Sequence, residues 1–426
     1  MGTTDVMHGA PEVLRTLAER FDATAFDTPT GRARLRLRVT DDRDWDATVE
    51  HGLMRLAPAD GERPDARLAA DPATWRRIAG DVRGGMEAFS RGKLKIRDDL
   101  HLGVGFLAAT SGMEGPERLV LDRVRTDAGE IALLQAGAGD DVLLLHGLGA
   151  TKASFLPTVA ALAGDYRVTA IDLPGFGDSA MPLGAPYDPQ FFARSAVAVL
   201  DALGIDRAHV IGNSMGGRVA LELGFEHPDR AGRLALLAPS LAWLRERRWA
   251  PLLKAVRPEL GLLQPAPRML VDRLTRSLVP GGRDGWSAVG VDEFLRGYLT
   301  PRGRAAFYAA ARNIYLENPE TFWTRLRELQ GEALFVWGRQ DRIVPIGFAR
   351  HVREALPAAE HLELACGHVP QLEAPRETHA ALRRFLGKSA QGADSLGSLA
   401  QGANSLGKSA QGADSLGSLA QGANSP

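Results

Sequence analysis

The stretch Val210-Ile211-Gly212-Asn213-Ser214-Met215-Gly216-Gly217 sets a serine between two glycines, directly after an apolar run and directly before a helical pattern. In a G-x-S-x-G sequence the chain turns sharply from strand to helix and the serine is pushed out of the sheet. Gly212 and Gly216 are needed there because side chains at those positions would collide with the neighbouring strand and helix. Arg207-Ala208-His209-Val210-Ile211 reads as the strand, and Val219, Ala220, Leu223 and Gly224 follow at helical spacing. The helix predicted over residues 215–226 aims its first amides at Ser214, where they stabilise developing negative charge. Ser214 is thus the candidate nucleophile, and the Met215 N–H is one candidate oxyanion donor.

A serine hydroxyl is a weak nucleophile, so a histidine must take its proton and a carboxylate must orient that histidine. Leu334-Phe335-Val336-Trp337-Gly338 reads as a buried strand, and Asp341 follows on its exit loop. A charged turn in which Asp341 pairs Arg339 or Arg342 is the alternative reading of that loop. His361-Leu362-Glu363-Leu364 reads as the last strand; its exit loop, Ala365-Cys366-Gly367-His368-Val369-Pro370, precedes a helix expected over residues 371–386. His368 is preferred to His351 and His379, which fall inside expected helices, and to His361, which starts a strand. The chain order Ser214, Asp341, His368 matches the order that goes with a G-x-S-x-G elbow.

Asp141-Val142-Leu143-Leu144-Leu145-His146-Gly147-Leu148-Gly149 supplies an earlier strand and a glycine-flanked loop. Gly147 and Gly149 let backbone amides approach a substrate, which makes the Leu148 N–H the second candidate oxyanion donor. His146 is read as a fastener of that loop through hydrogen bonds. Ile171-Asp172-Leu173-Pro174-Gly175-Phe176-Gly177-Asp178-Ser179 ends the next strand in a Gly-Pro turn and is expected to shape the wall of the site.

These four ordered motifs resemble the α/β-hydrolase family over residues 118–386. The resemblance implies an α/β fold with a mostly parallel eight-stranded sheet, helices on both faces, and an acyl-enzyme on Ser214 with His368 acting as base and then acid. Relatives that use aspartate as nucleophile are set aside, because this chain has Ser214. Between Leu234-Ala235-Leu236-Leu237-Ala238 and the strand holding Trp337 lies a long insertion, about residues 240–326, where the family carries a helical cap. Its apolar segments, among them Trp243, Leu262, Phe294, Tyr298 and Phe307, form mainly the cap's own core, with a minority lining the cleft.

Upstream, Arg34-Leu35-Arg36-Leu37-Arg38-Val39 alternates, with the leucines and valine on one face of a strand and three arginines on a face expected to be solvated. Asp41, Asp42, Asp44 and Asp46 follow at once and no aromatic platform accompanies the arginines, so nucleic acid is not an expected partner. A strand is read around Leu53-Met54-Arg55-Leu56, and a helix opens at Asp71-Pro72 with aspartate as cap. Then Gly85-Met86-Glu87-Ala88-Phe89-Ser90-Arg91-Gly92-Lys93-Leu94-Lys95-Ile96 ends in a second alternating strand. Residues 11–110 resemble a sterol carrier protein domain of α+β type, whose pattern is an apolar helix, then Gly-Lys-Leu-Lys-Ile, then a turn into a final helix; the resemblance implies that this last helix carries Leu100, Leu102, Val104, Phe106 and Leu107, with Asp98-Asp99 where the family has a Gly-Asp turn. The resemblance implies a fatty acyl, acyl-CoA or sterol ligand held between sheet and helices.

The 426 residues split into residues 1–110, a linker over 111–117, the hydrolase-like residues 118–386, and a tail over 387–426. That tail duplicates a 20-residue unit rich in Gly and Ser, and disorder is expected for it. A net charge of −1 gives no pull toward nucleic acid or an anionic membrane. The lone Cys366 excludes an intrachain disulfide and is read as a small buried residue of the loop. No metal-ligand spacing is visible and no cofactor is expected. The N-terminus lacks an apolar core segment and no apolar run reaches the ~20 residues of a membrane span, so a cytoplasmic protein without integral membrane association is expected.

The expected reaction is cleavage of an ester, thioester or related acyl bond in a lipophilic small molecule. Carbon–carbon bond hydrolysis of a ring-fission diketone is the alternative, since Gly-Asn-Ser-Met-Gly-Gly also resembles the elbow of those enzymes. They usually carry an aromatic residue after the catalytic histidine, where this chain has Val369. Acyl transfer shares the same acyl-enzyme, and non-enzymatic lipid binding is the reading from another class.

Overall fold

The computed structural model describes residues 5–6, 9–26, 28, 31–80, 88, 93–112, 118–243, 247, 249–265, 267–278 and 285–387. The predicted repeat tail from residue 388, most of the linker and nearly all of the stretch before Lys93, where the resemblance implies an apolar helix, lie outside the described residues. Met1–His379 and Ala380–Pro426 separate as two units, and every interaction below lies in the first.

The N-terminal sheet has six strands, β1 (Asp5–Val6), β2 (Arg32–Val39), β3 (Asp44–Glu50), β4 (Leu53–Pro58), β5 (Ala66–Ala70) and β6 (Lys95–Arg97), in the order β1-β4-β3-β2-β5-β6. Strand β2 alternates as read: Leu35, Leu37 and Val39 are buried. Its other face is solvated only in part: the Arg38 side chain is 62% exposed, but those of Arg34 and Arg36 only 11% and 16%. Antiparallel pairing sets Arg36 opposite Asp46 and Arg38 opposite Asp44. Arg34 and Arg36 both bond the buried Asp46, at 3.0 Å and 2.8 Å. The arginine row is matched by the acidic run that follows it, because the hairpin register folds one onto the other.

Asp71 caps the helix Pro72–Gly80 by accepting from Thr74 N at 2.8 Å. Strand β6 is shorter than read, starting at Lys95. The turn after it places Asp98 at φ +73°, a conformation aspartate tolerates better than most residues, with Arg67 on its carboxylate at 2.6 Å. Asp99 then caps the helix Leu100–Thr110 by accepting from Leu102 N. All eleven residues of that helix are buried.

The larger sheet has eight strands: β7 (Val120–Thr126), β8 (Gly129–Ala136), β9 (Asp140–Leu145), β10 (Tyr166–Ile171), β11 (Ala208–Asn213), β12 (Ala231–Leu237), β13 (Ala333–Gly338) and β14 (Glu360–Leu364). Their order is β14-β13-β12-β11-β9-β10-β8-β7, parallel throughout except that β8 runs against β10 and β7 against β8. Parallel strands are covered on both faces, which is why β9 and β13 read as unbroken apolar runs. The candidate residues leave the C-terminal ends of β9, β11, β13 and β14, the edge where sheets of this kind place their sites.

Between β12 and β13 the cap contributes the helices Leu260–Leu263, Arg268–Leu278, Gly285–Tyr298, Pro301–Tyr315 and Pro319–Arg327. Buried Arg218, on the helix Met215–Glu226, ties cap to sheet: its Nε donates to Glu317 at 2.8 Å and its Nη2 to Glu222 at 2.6 Å, with the Phe322 ring 4.9 Å away. The single helix expected over 371–386 is two, Pro370–Glu373 and Pro375–Leu386. Pro375 lacks the N–H that a continuous helix needs, and Ala374 before it leaves the helical region, at φ −133° and ψ 59°. Among the described residues no helix is long and apolar enough to cross a membrane.

Candidate active site

Strand β11 delivers Ser214 at φ 53°, ψ −112°, a backbone state that costs about 1–3 kcal/mol and persists only when its surroundings enforce it. Two bonds hold it: Ser214 N donates to Leu237 O at 2.9 Å, and its carbonyl accepts from Ser240 N at 2.9 Å. Gly212 and Gly216 permit the turn. A Cβ on Gly216 would lie 1.9 Å from Leu145 O, and one on Gly212 would lie 2.2 Å from Gly216 O. The helix Met215–Glu226 starts at the serine, so its positive end faces the hydroxyl.

The structure brings the three distant side chains together. His368 Nε2 is 2.8 Å from Ser214 Oγ, and His368 Nδ1 is 2.8 Å from Asp341 Oδ2. Asp341 Oδ1 accepts from Ile343 N at 2.7 Å and Val344 N at 2.9 Å, so neither Arg339 nor Arg342 is needed to hold it. An acceptor-only carboxylate at Nδ1 assigns the proton there, which leaves the Nε2 lone pair for the serine. The Asp341 side chain is buried.

Gly147 packs against the serine: a Cβ there would lie 3.3 Å from Ser214 Cβ. The two candidate oxyanion donors belong to the loop that follows this glycine, at Leu148, and to the first residue of the helix after the serine, Met215. Buried His146 fixes the start of that loop, since Leu173 N donates to its Nε2 at 2.9 Å and its Nδ1 donates to Gly147 O at 2.8 Å. Burial pushes its pKa down and keeps it neutral. Gly149 lies under the cap, where Phe294 and Phe307 would meet any side chain. A narrow cleft opens beside it, lined by Gly149, Thr151, Phe176, Glu293, Tyr298 and Phe307 among others; Ser214 does not line it.

Three contributors escaped the sequence reading. Asn213 Nδ2 donates to His368 O at 3.1 Å. The Glu373 carboxylate accepts from Gly367 N at 2.7 Å and Val369 N at 2.9 Å, bracketing His368. Glu293 on the cap accepts from the Thr151 hydroxyl at 3.2 Å. Glu373, five residues after His368, was the one a loop-capping pattern could have flagged. Cys366 is buried, and burial with Glu373 and Asp341 nearby pushes its thiol up to about 11. No cluster of His, Cys, Asp and Glu placed to hold a metal ion occurs among the described residues.

A serine, imidazole and carboxylate in one hydrogen-bonded line, at the C-terminal edge of a parallel sheet, define a hydrolase-type site. The chain belongs to the α/β-hydrolase fold family, whose model matches residues 141–375, and residues 19–108 match the SCP-2 sterol transfer family. Among curated proteins it is similar to 2-hydroxymuconate semialdehyde hydrolase of Pseudomonas putida, 30% identical over 273 residues that cover 59% of this chain and 89% of the relative. A second relative is 2-hydroxy-6-oxo-6-phenylhexa-2,4-dienoate hydrolase of Burkholderia cepacia, 31% identical over 57% of this chain and 86% of the relative. A solved hydrolase from Pseudomonas aeruginosa PA01 shares the fold, with TM-score 0.53 and 24% identity over 63% of this chain and 98% of that one.

Proposed function

We propose that the chain hydrolyses a carbon–carbon bond beside a ketone in a lipophilic dienoate, with Ser214 as nucleophile, His368 as base and acid, and Asp341 orienting the imidazole. The observation that carries this reading is the similarity to dienoate and semialdehyde hydrolases along 86–89% of their lengths, joined to the unbroken Ser214–His368–Asp341 line. The relatives favour this alternative over the simple acyl-bond cleavage first expected.

In the proposed sequence His368 Nε2 takes the Ser214 proton as Oγ adds to the ketone carbon. The N–H groups of Leu148 and Met215 hold the resulting oxyanion, with Gly147, Gly149, Gly212 and Gly216 allowing the approach. A proton first moves from the 2-hydroxyl to the carbon beside the ketone, so that the carbon–carbon electron pair passes into a conjugated 2-oxo fragment, which leaves as its dienolate and takes the proton from His368. Water, deprotonated by His368, adds to the serine ester, and His368 returns the proton to Ser214 Oγ as the acyl–oxygen bond breaks and the acid leaves. Apolar Phe294 and Phe307 of the cap suit a substrate whose non-reacting end is apolar. In the division of labour proposed here, residues 118–386 carry the chemistry and residues 1–110 bind an acyl or sterol lipid.

Val369 favours a second reading, ester or thioester cleavage, because the aromatic residue usual after this histidine in dienoate hydrolases is absent. One experiment separates them. The purified full chain, with Ser214→Ala as control, is given a 2-hydroxy-6-oxo-dienoate and a series of p-nitrophenyl esters. Faster kcat/KM on the dienoate, lost in the alanine variant, is expected; ester turnover without dienoate turnover rejects the proposal in favour of the second reading.

A further inference from the structure

Glu293 sits on the cap helix Gly285–Tyr298 and takes part in none of the steps above, yet three stretches of chain meet on its buried carboxylate. Oε1 accepts the N–H of Leu100, the first residue of the N-terminal helix Leu100–Thr110, at 3.0 Å. Oε2 accepts the Thr151 hydroxyl at 3.2 Å and Arg296 Nη2 at 3.1 Å. Thr151 closes the loop that presents Leu148. The next residue is fastened from the opposite side: Lys152 N donates to Asp172 Oδ1 at 2.7 Å, and Lys152 Nζ reaches Asp172 at 2.6 Å and Asp178 at 2.9 Å. Arg296 also bonds Asp178, and His101 Nδ1 lies 3.2 Å from the same carboxylate.

A buried carboxylate is costly unless its lone pairs are matched, so the donors around Glu293 are not interchangeable with apolar packing of looser geometry. An oxyanion donor, for its part, works only within a narrow range of distance and angle. We propose that Glu293 is a positioning residue: through Thr151 it sets the loop that offers the Leu148 N–H, and through Leu100 it makes the N-terminal helix part of that support. The N-terminal region then acts on the site mechanically, beyond any role as a tethered carrier. This inference rests on the reading of Leu148 as an oxyanion donor.

The test uses the full chain and two probes, a fluorophosphonate that labels Ser214 and p-nitrophenyl butyrate. Thr151→Val, nearly isosteric, and Glu293→Gln should each slow labelling and lower kcat by about tenfold, with KM changed less than about twofold. The double variant should be no slower than the slower single one, because both break one linkage. Leu100→Pro removes the amide donor at a helix position where proline is accommodated, and should slow labelling in the same direction. Wild-type labelling rates in Thr151→Val and Glu293→Gln, even with lowered melting temperatures, overturn the proposal; a normal rate in Leu100→Pro alone removes the N-terminal helix from it. Failure of the wild-type chain to label at Ser214 would instead remove the proposed function, and this inference with it.

Discussion

Asn213, the residue before the candidate nucleophile, holds the main chain of the residue that serves it: its Nδ2 donates to His368 O at 3.1 Å and to Leu237 O at 3.0 Å. One amide thus joins the ends of β11 and β12 to the histidine loop. Asn213→Ala takes this donor from His368 O, leaves Leu237 O with Ser214 N alone, and frees that loop. The expected result is a kcat about tenfold lower with KM nearly unchanged, measured at full folding by circular dichroism. Unchanged kcat would remove Asn213 from the site.

Glu373 splits its two oxygens between the amides on either side of His368, at 2.7 Å and 2.9 Å. Glu373→Gln keeps one acceptor and puts an NH2 group against the other amide. Turnover should fall about tenfold, and a double-mutant cycle with Asn213→Ala should be non-additive, since both hold one loop. Additive losses would show two independent effects.

The stacked group Phe335, Trp337 and His361 makes stability depend on pH. Trp337 Nε1 donates to His361 Nδ1 at 3.0 Å, and the imidazole pKa is lowered to about 4, first by burial and then by Arg353. The unfolded chain keeps a histidine near 6.5, so it binds the proton first as pH falls. This contribution is complete above about pH 6.5 and is lost on descending toward pH 4, with a slope of at most about 1.4 kcal/mol per pH unit. His361→Asn should flatten the plot of unfolding free energy against pH between those limits; an unchanged slope counts against this origin.

Cys366 lies two residues before His368, but its thiol is pushed up to about 11. At pH 8 alkylation by iodoacetamide should run about a hundredfold slower than for a free cysteine, followed by mass spectrometry. Cys366→Ala should keep kcat within about twofold. Rapid alkylation with loss of activity would show a reactive thiolate.

Local rules carried the reading far where the signal sits within one turn. Gly212 and Gly216, the cap Asp71, and the order Ser214, Asp341, His368 were all legible, because each depends on spacing along the chain. The solvated face read for the arginines of β2 holds for Arg38 but not for Arg34 and Arg36, since their shared partner Asp46 is revealed only by hairpin register. The break at Pro375 was legible and was overlooked. Glu293 carried no signal at all: it stands 193 residues from Leu100 and 142 from Thr151.

By itself the sequence determined the elements and their chemistry: where strands turn into helices, which hydroxyl is exposed by strain, and which imidazole and carboxylate are available to it. Those properties follow from side-chain size, periodicity and backbone freedom over a few residues. Only the tertiary structure decided that Asn213 and Glu373 clamp the histidine loop and that Glu293 joins cap, loop and N-terminal helix. A hydrogen bond reaches about 3 Å, and which groups come within that reach is set by how whole sheets and helices pack.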